Sequence, residues 1–458
     1  MRDIWVAAMV VLSQALWTAC GSSTPPEVEF DPRMVIEADR LQPPAGYRLL
    51  RGIIHTHSPY SHDACDNQPL VDGKLNQQCL EQCRQGMCAT LQDFIFLTDH
   101  DDMFADYEFP GVLLYSPADG DELIERGGLP VANRILCPDG HRVLVMAGTE
   151  SAMMPIGLEH HVGDTPEARH QAYDEISDTA IEAFHEAGAL VFLQHTEGWD
   201  VQQVLDLPID GVEIYNLHQN TMDNMAAVLQ LWADFKQDPE SLPNPELVLL
   251  AFFMENEPDL MRLSVAAQRK HLVAAMATDA HQNVFSDPAP DGERLDSFRR
   301  MMHWFSNYLL VPQDDWDDKT VKAAVASGMM FGGFDYLGYP VGFDFRAEGS
   351  SVWRMGQVVP GGEEVRLVLD VPRVLGVPDD MQPPMSGAIL KASGEGWEEV
   401  ASGEERVLLE SASSGVYRAV VTMTPLHLRP WLGPKADNYL REVVWIYSNP
   451  IWIGPPGG

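Results

Sequence analysis

Between Tyr47 and about Pro340 the chain repeats one pattern. A short run of Ile, Val, Leu or Phe ends in a polar residue able to bind metal, and a helical or loop segment follows. Leu49–Ile54 ends at His55, Phe94–Leu97 at Thr98-Asp99-His100, and Val143–Ala147 at Gly148-Thr149-Glu150. Leu190–Leu193 ends at Gln194-His195. Gly211–Ile214 contains Glu213 and ends at Tyr215-Asn216. Leu272–Ala277 ends at Thr278-Asp279-Ala280-His281, and Met329–Phe334 ends at Asp335. Runs that are apolar on both faces suit a parallel sheet covered by helices. The intervening segments read as helices. Ile176, Ala180, Ala183, Phe184 and Ala187 share a helical face, with Ser177 or Asp178 near the start and Gly188 beyond the end. Leu260–Lys270 and Lys319–Ala326 are similar. Seven such units predict an α/β barrel with its site at the C-terminal mouth. An open doubly wound sheet is the alternative, but no Gly-rich phosphate loop follows the first strand.

After Phe343 the period changes to two. Val365, Leu367, Leu369 and Val371 alternate with polar residues, and Val416–Met423 and Val443–Tyr447 are further strand-like runs between Gly/Pro/Ser turns. This predicts a small all-β sandwich over 343–458 whose default role is packing against or capping the barrel. At the other end, one Arg, an apolar run from Ile4 to Trp17 and then small residues predict a signal peptide over 1–19. The ending Leu16-Trp17-Thr18-Ala19-Cys20 resembles the lipobox of bacterial lipoproteins, which implies a lipid on Cys20. Residues 20–44 are then expected to tether a barrel spanning 45–342, and the cell envelope is the expected location, with the membrane met only through that lipid.

Composition narrows the partners. In 458 residues, 30 basic and 68 acidic side chains give a net charge of −38, which repels nucleic acid. An anionic substrate therefore needs a local source of positive charge, and bound metal would serve. Export permits disulfides. Besides Cys20 there are Cys65, Cys79, Cys83, Cys88 and Cys137, four of them within a polar stretch at 64–90. That stretch reads as an inserted loop stapled by two bridges, with Cys137 left over or exchanged for one of the four. The spacings do not match paired zinc knuckles.

The chemistry lies at the run ends. His55 and His57 alternate along one strand and so share a face. Adding His62 or Asp63, His100, Glu150, His160 or His161, His195, Asp279 and His281 makes about nine N/O ligands without a thiolate. Such a set suits two or three divalent transition-metal ions (Zn, Mn or Fe), with Glu150 placed to bridge two. Glu150, His195 and Asp279 are the expected catalytic members. Taken singly, each His is more often a hydrogen-bonded core or rim residue, and Glu150 or Asp279 could simply cap a helix. The joint occurrence at five successive run ends argues for a site. His141, His170, His185, His218, His271 and His303 lie off the run ends and read as structural or surface residues.

In order, RGIIHTHSPYSHD, FIFLTDHDD, AGTE, FLQH and ATDAH resemble the successive motifs of the PHP (polymerase and histidinol phosphatase) family, over about Tyr47–Pro340. The resemblance implies a distorted (β/α)7 barrel and a two- or three-metal phosphoesterase site. The chain departs from that pattern where His62-Asp63-Ala64 replaces Ser-Asp-Gly, and where His160-His161-Val162-Gly163 offers two histidines for one position. The insertion at 64–90 and the trailing β region resemble secreted members. The expected function is hydrolysis of a small phosphate ester by a metal-activated hydroxide. The alternatives are a carbamate, amide or carboxylic ester as substrate, or a non-catalytic surface lipoprotein. Amidohydrolase barrels also begin with His-x-His, but they add a bridging Lys, and no Lys ends a run here.

Overall fold

The computed structural model describes residues 29–457 apart from Leu242. Residues 1–19, expected to be a signal peptide, and Cys20 lie outside the described residues. Among the described residues no helix is long and apolar enough to cross a membrane.

Seven strands close a ring: β1 (Tyr47–Thr56), β2 (Phe94–Phe96), β3 (Arg142–Glu150), β4 (Met154–Leu158), β5 (Leu190–Leu193), β6 (Gly211–Asn216) and β7 (Val273–Ala280). β1 pairs in parallel with β2, β2 with β3, β5 with β6, β6 with β7, and β7 with β1. β4 runs antiparallel to both β3 and β5. The expected all-parallel ring is therefore corrected in two ways. Its seventh member is the short reversed strand β4, which carries no terminal ligand motif. The expected seventh strand lies outside the ring: β9 (Met330–Gly333) pairs antiparallel with β8 (Ser306–Pro312), which flanks the first half of β1. Six apolar runs were enough to mark six ring strands, but an apolar run does not state which edge it joins.

Alternate residues build the barrel interior. Leu50 and Ile54, Phe94 and Phe96, Leu144 and Met146, Met154 and Ile156, Phe192, and Val273 and Ala275 form one cluster. Val321, Ala324 and Val325 of the helix Asp318–Ser327 join it and close its base. Two positions admit only glycine. A Cβ on Gly52 would fall 2.5 Å from the Phe94 ring, and one on Gly211 would fall 2.2 Å from the Phe192 ring. Outside the ring, Ser177 caps the helix Asp178–Glu186 by accepting from the Ala180 N–H. Ile181 and Phe184 of that helix are buried in the outer core, whereas Ile176 precedes the helix and is exposed.

The C-terminal strands form two sheets. Asp344–Glu348, Val352–Arg354, Arg366–Asp370 and Arg406–Leu409 make one. Met385–Ser393, Gly396–Gly403, Gly415–Met423 and Val443–Ser448 belong to the other, in which Val443–Ser448 pairs with β9. The sheets meet closely at Gly387, where a Cβ would lie 2.8 Å from Leu369. The second sheet is thus continuous in hydrogen bonding with the strands beside the barrel. Trp397 and Trp452 donate their indole N–H groups to Leu260 O and Ala267 O of the helix Glu257–Ala267, both at 2.7 Å.

The segment expected to be a tether is folded from residue 30 onward. Phe30 N–H donates to Gly376 O at 3.1 Å, and Ile36, Ala38 and Leu41 are buried in the core. Those apolar residues pack because they are offered a groove between the barrel and the C-terminal sheets, which composition alone does not reveal. The bridges are Cys65–Cys79 and Cys88–Cys137, with Cys83 a buried free thiol. Only one bridge staples the insertion to itself. The other anchors the end of its helix, Gln77–Ala89, to the strand pair before β3.

Candidate metal centre

The ring strands deliver their last residues to one end of the barrel. β1 breaks register between Ile54 and Thr56 where it meets β7, and His55 there has φ of 71°. His195, after β5, and Asp279, in the last turn of β7, have φ of 45° and 50°. Non-glycine residues in the left-handed region are costly and persist where the surrounding structure holds them, often at functional sites. A short parallel pairing, Asp99↔Thr149 and His100↔Glu150, sets the second and third motifs side by side.

His55, His57, Glu150 and Asp279, all buried, each offer a ligand atom within 4.8 Å of the others. His55 Nε2 and His57 Nε2 are 3.2 Å apart. Glu150 Oε2 lies 3.3 and 3.2 Å from them, and Asp279 Oδ1 lies 3.3 and 3.1 Å from them. On the outer side, His195 Nε2 is 2.8 Å from Glu150 Oε1. His100 Nδ1 lies 3.7 Å from Glu150 Oε2, and His100 Nε2 lies 3.6 Å from Asp63 Oδ1. His281 Nε2 lies 3.3 Å from Asp63 Oδ2, and its ring stacks on that of His57 at 3.7 Å. His62 is exposed and paired with Asp102 at 2.9 Å, although it stays within ligand distance of Asp63 and His100.

Hydrogen bonds at the remaining nitrogens orient the rings. His55 Nδ1 donates to the Glu213 carboxylate. His57 Nδ1 donates to Ser61 Oγ at 2.7 Å, and that hydroxyl donates onward to Asp99 Oδ1 at 3.2 Å. His281 Nδ1 donates to Asp279 O at 2.9 Å. All three Nε2 atoms therefore point among carboxylate oxygens, where each can hold a proton or give its lone pair to a cation. Asp279 Oδ1, Asp63 Oδ1 and His281 Nε2 are buried without a hydrogen-bond partner. Buried acceptors facing one another are costly unless a proton or cation lies between them. Nitrogen and oxygen donors without thiolate, each oriented by an outer hydrogen bond, are what divalent transition metals require, so the residues fit such ions.

The electrostatics agree. Burial alone would lower the His55 and His57 imidazoles, but Asp279, Glu213 and Glu150 hold His55 well above its ordinary range, and Asp279 and Glu150 raise His57 too. Against burial, Glu150 and its neighbours bring His195 to about 9, while Asp63 and Glu150 do the same for His100. Burial would raise the Glu150 and Asp279 carboxyls, but His55 and the adjoining imidazoles hold both well below the carboxylate range. The acids of this cluster are ionised and attract positive charge.

Three assignments need correction. His160 is exposed, and its Nδ1 donates to His161 O at 2.9 Å. His161 lies away from the cluster, bonded to Tyr173 Oη at 2.9 Å and Tyr107 O at 2.7 Å and packed against Phe104 and Phe109. Neither is among the grouped ligands, because the chain after Glu150 turns back at once into the reversed strand β4 and carries both histidines away from the mouth. His218, read as structural, instead groups with Asp279 and His281. It stands two residues beyond Asn216, at the rim shared by the other strand ends, and that position was its only signal. Glu213 was visible as a charge inside the apolar run of β6, and burial of such a charge demands partners. They are His55 Nδ1, the His195 N–H at 3.0 Å and Asn216 Nδ2 at 3.1 Å. The other histidines have ordinary partners: His141 with Gln92 O, His170 with Asp101, His185 with Asp210, His271 with Gly356 O and His303 with Glu246.

No family model matches the chain, and no curated protein matches it. The solved structures similar to the chain include the following two. One is a two-domain protein from Bacteroides vulgatus containing a predicted PHP-like metal-dependent phosphoesterase, 13% identical, with 93% of this chain and 99% of that chain covered and a TM-score of 0.32. The other is PsfC from Pseudomonas syringae, 10% identical, with 62% and 90% covered and a TM-score of 0.35. Similarity at this level transfers neither fold nor activity, so the functional reading rests on the chain's own geometry.

Proposed function

We propose that this chain is a metal-dependent phosphoesterase of PHP type acting on a small phosphate ester at the cell envelope. One observation carries the reading: imidazole Nε2 atoms and ionised carboxylates converge at one end of a closed barrel, and among the described residues no Lys or Arg ion-pairs with those carboxylates. His55, His57, Glu150 and Asp279 would hold one ion. Asp63, His100 and His281 would hold a second, and Glu150 reaches toward both through Oε2 while its Oε1 faces His195. Ions there lower the pKa of water and neutralise charge building on a phosphoryl oxygen.

The chain's own residues orient and neutralise. Glu213, and Ser61 with Asp99, orient the rings of His55 and His57. His195 and His100, 34% and 26% exposed, are the members that a substrate in the mouth reaches. The location at the envelope rests on the apolar leader and Cys20, and the two disulfides support an oxidising compartment. A carbamate- or amide-cleaving variant is less well supported, since no lysine ends any of the apolar runs that supply the cluster.

The test is metal analysis of the purified mature protein together with turnover of an aryl phosphate. At least two transition-metal ions per chain and metal-dependent turnover are expected. Fewer than one ion per chain would overturn the reading.

A further inference from the structure

The insertion at 64–90 has no part in holding metal, yet it walls a cavity of about 240 Å³ beside the cluster. The link to the cluster is direct. Cys65 N–H donates to His281 O and Asp66 N–H to Gln282 O, both at 3.0 Å, while Asn283 Nδ2 donates to Asp63 O at 3.0 Å. The cavity therefore begins one or two residues beyond the ligands Asp63 and His281 on both of its walls.

Its lining is chemically uniform. Five amide side chains face it: Gln68, Asn76, Gln78, Gln82 and Gln282. Amides present donors and acceptors side by side, which is what vicinal hydroxyl groups need. Some are held in place. Gln282, itself buried, donates to Gln82 Oε1 at 2.8 Å, and Asn76 donates to Gln68 O at 2.8 Å. Among the described residues the side-chain amides of Gln68 and Gln78 have no protein partner. The one cation, Arg294, is engaged by Asp66 at 2.6 and 2.8 Å and by Asp296 at 2.9 Å, so it offers little to a second phosphate. No aromatic ring lines the cavity, which disfavours a nucleobase. The volume is below the ~300–1,000 Å³ of pockets for drug-sized ligands and suits one sugar ring or a short polyol. Cys65, Asp66 and Gln282, all on its wall, have φ of 60°, 58° and 55°. The Cys65–Cys79 bridge ties this costly backbone to the helix carrying Gln82.

We infer that this cavity is a subsite for the neutral polyhydroxyl portion of the substrate, so that the phosphate esters turned over are those of a sugar or polyol. The inference rests on the phosphoesterase reading, and its test separates the two. The metal-loaded full-length mature protein is compared on hexose 6-phosphate, n-hexyl phosphate and p-nitrophenyl phosphate. Wild type should favour the hexose ester over the hexyl ester by about tenfold in kcat/KM, mostly through KM. The double variant Gln78→Leu/Gln82→Leu, altered only at exposed helix positions, should erase that preference while leaving metal content and p-nitrophenyl phosphate turnover unchanged. Equal KM for the two esters in wild type, or a preference surviving in the variant, overturns the subsite. If wild type hydrolyses none of the three, the phosphoesterase reading fails instead. The subsite is then judged by saturation-transfer NMR with free glucose and glycerol. Transfer that is present in wild type and lost in the variant supports it, and no transfer in wild type overturns it.

Discussion

Two clusters of acidic side chains in this molecule look alike by distance and differ in charge balance. Glu246, Asp291 and Glu293 lie as close together as metal ligands do, and so do His55, His57, Glu150 and Asp279. Around the first, the protein supplies its own cations. Arg299 bonds both Glu246 and Glu293, Arg300 reaches Asp291 at 2.5 Å, and His303 meets Glu246 at 3.0 Å. Around the second, among the described residues, no Lys or Arg ion-pairs with Glu150 or Asp279, and the imidazoles turn Nε2 inward because their Nδ1 atoms are already hydrogen-bonded. Proximity of acids is therefore not the mark of a metal site. The mark is the lack of a permanent side-chain cation, so that protons or metal ions must balance the acids, together with donors oriented from behind.

The sharpest way to break this contrast is substitution in the histidine-containing cluster. His57→Ala or Glu150→Ala should lower aryl phosphate turnover by about 10³-fold or more and reduce metal content, with the circular dichroism spectrum retained. Unchanged turnover would erase the distinction. Glu246→Ala should do the reverse. It leaves buried Arg300 and His303 without their carboxylate and should cost about 3–5 kcal/mol in denaturant unfolding, with metal stoichiometry intact. Glu213→Gln lies between the two. It keeps the shape but removes the carboxylate behind His55, so metal affinity measured by competition with a chelator should fall about 10–100-fold.

Acid should separate the clusters more gently. Burial would raise the Glu246 carboxyl, but His303, Arg299 and Arg300 hold it at about 2, below its ordinary 4.5. A carboxyl depressed on folding contributes stability that is fully present above 4.5 and lost as pH falls from there through about 2. Unfolding measured across that window should show a pH slope that Glu246→Gln flattens. The smallest effect is expected at His161→Phe, which should leave metal content unchanged and alter stability only through its two lost hydrogen bonds.

Which residues the fold brings together was partly legible in the chain. His55, His57, His100, Glu150, His195, Asp279 and His281 were legible because each ends an apolar run, and strands that share a barrel share a mouth. His160 and His161 were misplaced because they follow a strand that runs the other way. His218 was passed over because it begins a helix two residues past its strand. The partnering of Glu246 was invisible, since its arginines come from a helix more than fifty positions away.

By itself the sequence determined the alternation of buried strands with helices, the change to period two after Phe343 and the residues that could hold metal. All of these follow from local periodicity and side-chain chemistry. Only the tertiary structure decided that β4 and not β9 completes the ring, that residues from Phe30 onward are packed, that Cys88 pairs with Cys137, and which way each imidazole faces. Those outcomes depend on strand edges, grooves and hydrogen-bond partners contributed by distant segments, and no local pattern carries them.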